Sequence, residues 1–240
     1  MNILRVLSSL FYPRVCPMCD AYVGVRDEKE PICDTCMRSL PRTEQHLLRG
    51  NITELTLLND RNTISEARKY YRLQRAAAFL FFEKDHPLQH AIHKMKYADQ
   101  PLIGYQLGRQ AALEFQYADF FDEIDVIVPM PLHPKRFRER GYNQSEYIAR
   151  GISEITGIPI DTTHVTRTKN TPKQALQEGE ERKSNVKDAF SVNHPEDMYH
   201  KHILLVDDLI TTGETVKSCI HAMKKFRGAT FSVFALCKAK

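Results

Sequence analysis

The sequence predicts an α/β fold, a mostly parallel sheet with helices on both faces, preceded by a small four-cysteine module. Three observations carry this. From about residue 75 onward, short apolar runs alternate with segments of helical spacing, the pattern of parallel strands joined by crossover helices. One run, Ile203 to Val206, is continuously apolar, as a strand buried on both faces is. Four of the six cysteines form two Cys-x-x-Cys pairs, Cys16 with Cys19 and Cys33 with Cys36.

The chain has 240 residues, enough for one good core and a smaller module. The expected division is residues 1–60 for a front helix, the cysteine module and a linker, and 75–240 for the α/β domain. A composition of 42% hydrophobic and 27% charged residues is that of a soluble globular protein. The longest unbroken apolar run, Ala76 to Phe82, is far too short for a bilayer, so no membrane insertion is expected. Residues 1 to 15 lack a basic start and a small-residue cleavage site and are not expected to act as a signal peptide. A net charge of +4 compels no nucleic-acid partner; its distribution matters more.

In chain order, Ile3 to Phe11 has the spacing of a short amphipathic helix. Each Cys-x-x-Cys pair lets both sulfurs of a tight turn face one metal, and thirteen residues separate the pairs, enough for a hairpin or ribbon. Four thiolates so spaced suit tetrahedral zinc in a closed, structural shell. Metal binding would then supply folding energy to a module too small for its own core. Disulfides or two redox pairs are the competing readings; the first needs an oxidising compartment. Residues 38 to 70 read as the rest of the module and a linker.

A strand at Arg75 to Phe82 follows, then helices at Pro87 to Lys96 and Pro101 to Phe115 and a strand at Asp125 to Val128. Ser145 to Ile155 is a helix stopped by Gly157 and Pro159. His164 to Thr166 and Ala189 to Val192 are short strands. The strand His202 to Val206, a helix from Glu214 to Phe226 ending at Gly228, and a strand from Thr230 to Leu236 complete the chain. Cys219 and Cys237 read as buried small hydrophobes.

The stretch from Ile203 to Thr215 is the most informative. Asp207 and Asp208 stand where its apolar run ends, and Thr211, Thr212, Gly213, Glu214 and Thr215 open the next helix. In an open α/β sheet, ligands bind at the carboxyl ends of strands. Hydroxyls and free backbone N–H groups at a helix start suit a phosphate dianion, and Gly213 allows close approach. The carboxylates suit sugar hydroxyls instead. The stretch therefore fits a sugar phosphate.

Such a ligand needs a second anion pocket when its leaving group is also a phosphate. Residues 129 to 144 follow the strand at Asp125 and carry Lys135, Arg136, Arg138 and Arg140, whose guanidiniums match phosphate oxygens bidentately. A solvated basic face is the bland alternative. A third basic stretch, Arg167 to Gln174 and on to Phe190, has the composition of a loop that closes over a ligand or of a plain surface loop.

The pattern Asp207-Asp208, two apolar residues, then Thr-Thr-Gly-x-Thr resembles the 5-phosphoribosyl-1-pyrophosphate (PRPP) signature of type I phosphoribosyltransferases. With the front cysteines, residues 94–97, the Pro131 to Arg136 and Arg138 to Gln144 runs, and Arg167 with Thr171 and Gln174, the chain resembles the ComF (competence protein F) family over most of its length. Residues 40 to 75 match weakly. The resemblance implies a type I phosphoribosyltransferase fold behind a zinc ribbon, a cytoplasmic bacterial protein of natural transformation, single-stranded DNA as a handled molecule, and a ComFA-type helicase and other competence proteins as partners. It places the PRPP 5-phosphate on Thr211 to Thr215, and the ribose hydroxyls on Asp207 and Asp208, the catalytic pair. Pyrophosphate with Mg²⁺ falls near Pro131, Leu132, Lys135, Arg136 and Arg140. Asn143, Gln144, Arg167, Thr171, Gln174, Arg182 and Asn185 become loop and substrate residues.

Two functions compete. A phosphoribosyltransferase would break the bond to pyrophosphate and use the carboxylates against the positive charge left on the sugar; its acceptor is not legible. A binding module would hold single-stranded DNA phosphates on Lys135 to Arg140 and Arg167 to Lys173, with Phe137, Tyr142 or Tyr97 stacking on bases. A zinc hydrolase is disfavoured, because four thiolates leave no open position for water. No Gly-x-Gly nucleotide loop or Walker lysine is present, so the chain is not itself a helicase motor.

Overall fold

A computed structural model describes residues 14–24, 27–47, 69–169 and 189–239. The front helix expected at Ile3 to Phe11 lies outside them, as does most of the linker. The main sheet contains β1 (Leu73–Phe82), β2 (Val126–Pro129), β5 (His202–Ile210) and β6 (Thr230–Ala239). These pair in parallel in the order β1-β6-β5-β2. Two short strands, β3 (Val165–Arg167) and β4 (Phe190–Val192), pair antiparallel in a hairpin of their own.

The apolar runs of β5 and β6 are near-continuous because both sheet faces are covered. Alternation sends Leu204 and Val206, with Phe234 and Leu236, to one face. Ile203 and Leu205, with Val233 and Ala235, go to the other. The first face carries α2 (Leu88–Tyr97), α3 (Leu102–Phe115) and α5 (Gln144–Thr156). The second carries α6 (Glu214–Met223), through Val216, Cys219, Ile220 and Met223, and the hairpin, through Val165 and Phe190. Cys219 and Cys237 are both buried, as their settings predict.

The cysteine module, with its short helix α1 (Asp34–Arg38), packs on the first face. Met18, Val23, Ile32 and Leu40 belong to the same apolar cluster as Phe115 and Phe234. Residues 41 to 43 line the outer edge of β1: the Thr43 amide donates to the Phe79 carbonyl at 3.0 Å and the Phe81 amide to the Pro41 carbonyl at 2.7 Å. That edge would otherwise offer unpaired backbone groups.

Helices α3 and α5 cross on two glycines. A Cβ on Gly108 would lie 2.3 Å from the Ile148 carbonyl oxygen, and one on Gly151 would lie 2.1 Å from that of Tyr105. Only glycine permits so close an approach.

Among the differences from expectation, three bear on the site and its surroundings. The signature strand runs on to Ile210, because β6 extends to Ala239 and the ladder continues through Leu209–Cys237 and Ile210–Lys238. The carboxylates therefore sit within the strand's last turn of pairing. Helix α6 ends at Met223, three residues before the buried Phe226. The basic run after β2, which carries no helical expectation, forms the short helix α4 (Pro134–Arg140).

Candidate functional site

The carboxyl ends of β2 and β5 meet at one sheet edge, with the end of α2 and the start of α5 beside them. Neighbouring strand residues point to opposite faces, so Asp207 and Asp208 diverge. Asp208 is only 7% exposed. Its Oδ2 accepts from Lys96 Nζ at 3.0 Å and from Gln144 Nε2 at 2.9 Å. Asp207 is partly exposed. Its Oδ1 accepts from the Asp208 backbone N–H at 2.8 Å and from Ser145 Oγ at 3.4 Å. Burial, then the neighbouring Asp208 charge, push the Asp207 carboxyl up to about 7, against the opposing pull of its backbone bond, Lys96 and Arg167.

Beyond β5, Thr211 and Thr212 are exposed and Gly213 is buried at φ +76°. Helix α6 starts without a side chain capping its first amides, the condition in which a helix start can receive an anion. Glu214 would oppose a phosphate there, but Lys217 Nζ pairs with its Oε1 at 2.9 Å. Thr215 stands half-buried on the same turn.

On the other flank, Pro134 and the His133 Nδ1, which accepts the Lys135 amide at 3.2 Å, begin α4. Gly141 at φ +79° ends it. Arg136 and Arg140 join Lys96, Tyr97 and Tyr142 around a cavity of about 370 Å³, with Asp99 and Glu139 also in its wall. The Arg140 guanidinium lies 5.1 Å from the Tyr97 ring centre, and the Tyr142 hydroxyl donates to the Met95 carbonyl. Pro131 and Leu132 are half-buried between β2 and α4, whereas Lys135 is exposed and outside the cavity wall.

Arg167 on β3 is half-buried with its guanidinium 5.4 Å from the Phe190 ring centre. Burial and the nearby Arg136 lower its pKa, and Asp207 opposes them. Arg136, Arg167 and Asp207 are thus one electrostatic group. Asn143 does not point outward: its Oδ1 accepts the Ser145 amide at 3.1 Å and its Nδ2 donates to the Met130 carbonyl at 3.1 Å. Gln144 is buried on Asp208. Thr171, Gln174, Arg182 and Asn185 lie outside the described residues.

The cysteines converge. The Sγ atoms of Cys16, Cys19, Cys33 and Cys36 all lie within 4.8 Å of one another, and Cys19 and Cys33 are 3.8 Å apart. A zinc tetrahedron with bonds of roughly 2.3 Å has edges of about 3.8 Å, so the cluster fits structural zinc. Burial raises the Cys16 thiol, but backbone N–H groups of Cys33, Met18 and Cys19 outweigh it and bring it to about 7; burial raises Cys36.

Lys96 and Ser145 are the residues sequence reasoning left without a role. Lys96 carried a signal: four residues after Ile92 and eight after Leu88, it falls on the buried stripe of α2. A lysine there needs a buried partner.

The parallel sheet, its carboxylate edge and the front thiol cluster define a phosphoribosyltransferase-type protein, and a family model described as "Phosphoribosyl transferase domain" matches residues 143–240. The chain is 29% identical over 227 residues to DNA utilization protein YhgH of Shigella flexneri, covering 93% of this chain and 90% of that one. It is 30% identical over 157 residues to Competence protein F of Haemophilus influenzae, covering 64% and 69%. Competence protein ComFC of Bacillus subtilis is 29% identical over 119 residues, covering 49% and 46%. The chain belongs to the competence protein F family. No helix among the described residues is long and apolar enough to cross a membrane.

Proposed function

We propose that the chain binds PRPP together with Mg²⁺ at this edge. The observation that carries the reading is the convergence of three parts: the partly exposed Asp207 beside Asp208, the uncapped start of α6, and the cavity lined by Lys96, Arg136 and Arg140. Thr211 to Thr215 take the 5-phosphate, Asp207 and Asp208 the ribose hydroxyls, and the cavity the pyrophosphate, with Pro131, Leu132 and Lys135 flanking it. Among the described residues the cysteines form the sole group of three or more metal-ligating side chains. Mg²⁺ would be held through the phosphates, as it commonly is.

Turnover would break the bond from the anomeric carbon to pyrophosphate, which leaves with that electron pair, and an acceptor nucleophile would supply the electron pair of the new bond to the same carbon. Asp207 and Asp208 then face the positive sugar. Calorimetric titration of PRPP with Mg²⁺ tests the binding: wild type should bind, and the Asp207→Asn/Asp208→Asn variant should not. Equal affinities would remove the carboxylates from the sugar site.

A second reading rests on α4, no residue of which is buried. Its Phe137 is 47% exposed and Tyr97 nearby is 59% exposed, a cationic face with aromatic surface suited to single-stranded DNA. The names of the relatives, in competence and DNA utilization, favour DNA uptake as the setting. In that setting the protein works in the cytoplasm with a ComFA-type helicase. Binding to oligonucleotides that weakens steeply with salt, without release of pyrophosphate, would favour this reading over catalysis.

A further inference from the structure

Lys96 belongs to both halves of the site. Its side chain is 8% exposed, and its ammonium makes one contact among the described residues, the 3.0 Å pair with Asp208 Oδ2. The same lysine lines the cavity that holds Arg136 and Arg140. An ammonium has three donors, so the pair with Asp208 leaves capacity for a second anion. Asp208 is held in a defined way. Lys96 and Gln144 both engage Oδ2, and Oδ1 takes no partner among the described residues. A carboxylate fixed through one oxygen presents the other at a set angle.

We propose that Lys96 is the residue that couples the sugar and pyrophosphate subsites: with Gln144 it positions Asp208 toward the sugar, and it supplies the cavity with a third cation. This role rests on the PRPP reading above. A buried ammonium is costly without a counter-ion, and a buried carboxylate equally so. The Lys96–Asp208 pair, with Gln144 on the same oxygen, is thus in place before the ligand arrives. Loss of the leaving group's anchor and loss of the sugar's acceptor then become one event.

The test uses the full chain as wild type, Lys96→Met, Lys96→Arg and Lys96→Met/Asp208→Asn. Each is titrated with PRPP plus Mg²⁺ and with inorganic pyrophosphate plus Mg²⁺, and each is followed through thermal unfolding. Lys96→Met should weaken both ligands about tenfold or more, the worth of one charge-assisted hydrogen bond. Lys96→Arg, which keeps the charge, should recover part of the pyrophosphate affinity. Lys96→Met leaves Asp208 buried without its counter-ion and should melt early. The double variant removes both charges and should regain the melting temperature but neither affinity. A double variant that binds both ligands within about threefold of wild type would reduce the pair to a core element and overturn the role. A well-folded Lys96→Met protein with wild-type affinities would do the same. If wild type itself fails to bind PRPP, the parent reading is the one that fails, and this role falls with it.

Discussion

Gln106 and Ile32 are joined by two hydrogen bonds in opposite senses: the Ile32 amide donates to Gln106 Oε1 at 2.7 Å, and Gln106 Nε2 donates to the Ile32 carbonyl at 3.1 Å. Gln106 lies on α3 and is 9% exposed. A side chain thereby does for the cysteine module what a neighbouring strand would do. Gln106→Leu keeps the bulk and leaves both backbone groups of Ile32 unmatched. We expect destabilisation of about 1–3 kcal/mol for each buried group left without its partner. Urea unfolding measures it, and an unchanged midpoint would mean that packing alone seats the module.

The thiol cluster should matter to the whole chain. Cys16 and Cys36 are part of the apolar cluster that includes Phe79, Leu107 and Phe115. Purified protein should contain about one zinc per chain, the content expected of a four-thiolate site. Cys16→Ser/Cys19→Ser should lose that zinc and lower the melting temperature of the main transition, because the released module uncovers one face of the sheet. Elemental analysis and calorimetry read the two effects. Wild-type protein free of zinc at full stability would rule out the metal.

Substitution at the α3–α5 crossing should be costly in a way unrelated to chemistry. Gly151→Ala places a methyl group against the backbone of Tyr105 and Arg109, neither of which can rotate away. Overpacking of this kind costs about 1–3 kcal/mol. Because α5 carries Gln144 and Ser145 at its start, a shift of that helix should also loosen both carboxylates. Denaturant unfolding together with PRPP titration would separate the two consequences. An unperturbed Gly151→Ala protein would contradict the close crossing.

Much of this architecture was legible in residue order. Ile203 to Val206 announced a strand covered on both faces, and Thr211 to Thr215 the start of a helix, because both depend on local composition. The cysteine spacing needed only the geometry of two tight turns. What escaped was set by partners far along the chain. Residues 41 to 43 cover the edge of β1 through backbone bonds, which no side chain advertises. His164 to Thr166 and Ala189 to Val192 were legible as strands, but their mutual antiparallel pairing was not, since either could have joined the parallel sheet. Gln144 reads as a polar loop residue until α5 begins one position earlier than expected and buries it on Asp208. Asp207 and Asp208 look equivalent in the sequence; alternation along the strand makes them different.

The hairpin that carries Arg167 is pinned at its base by His164, and that pin should titrate. His164 Nδ1 lies 2.8 Å from Asp161 Oδ1, and Nε2 lies 3.2 Å from Asp197 Oδ2. A carboxylate on each ring nitrogen is satisfied only when both nitrogens carry protons. Burial lowers the His164 pKa, but the bonds to Asp161 and Asp197 outweigh it, and the net shift is upward. The folded value thus exceeds the unfolded one of about 6.5, so the folded state binds the proton more tightly. The stabilisation is fully present below about pH 6.5 and is lost as pH rises through the raised folded value. Melting temperatures of wild type and His164→Gln measured across this range should converge on the alkaline side and separate on the acid side, wild type being the more stable. Parallel curves for the two proteins would show that the imidazole is neutral in the fold and that the hairpin is held by the Asn193 amide and side chain, which bond the His164 and Thr163 carbonyls at 2.9 and 3.1 Å.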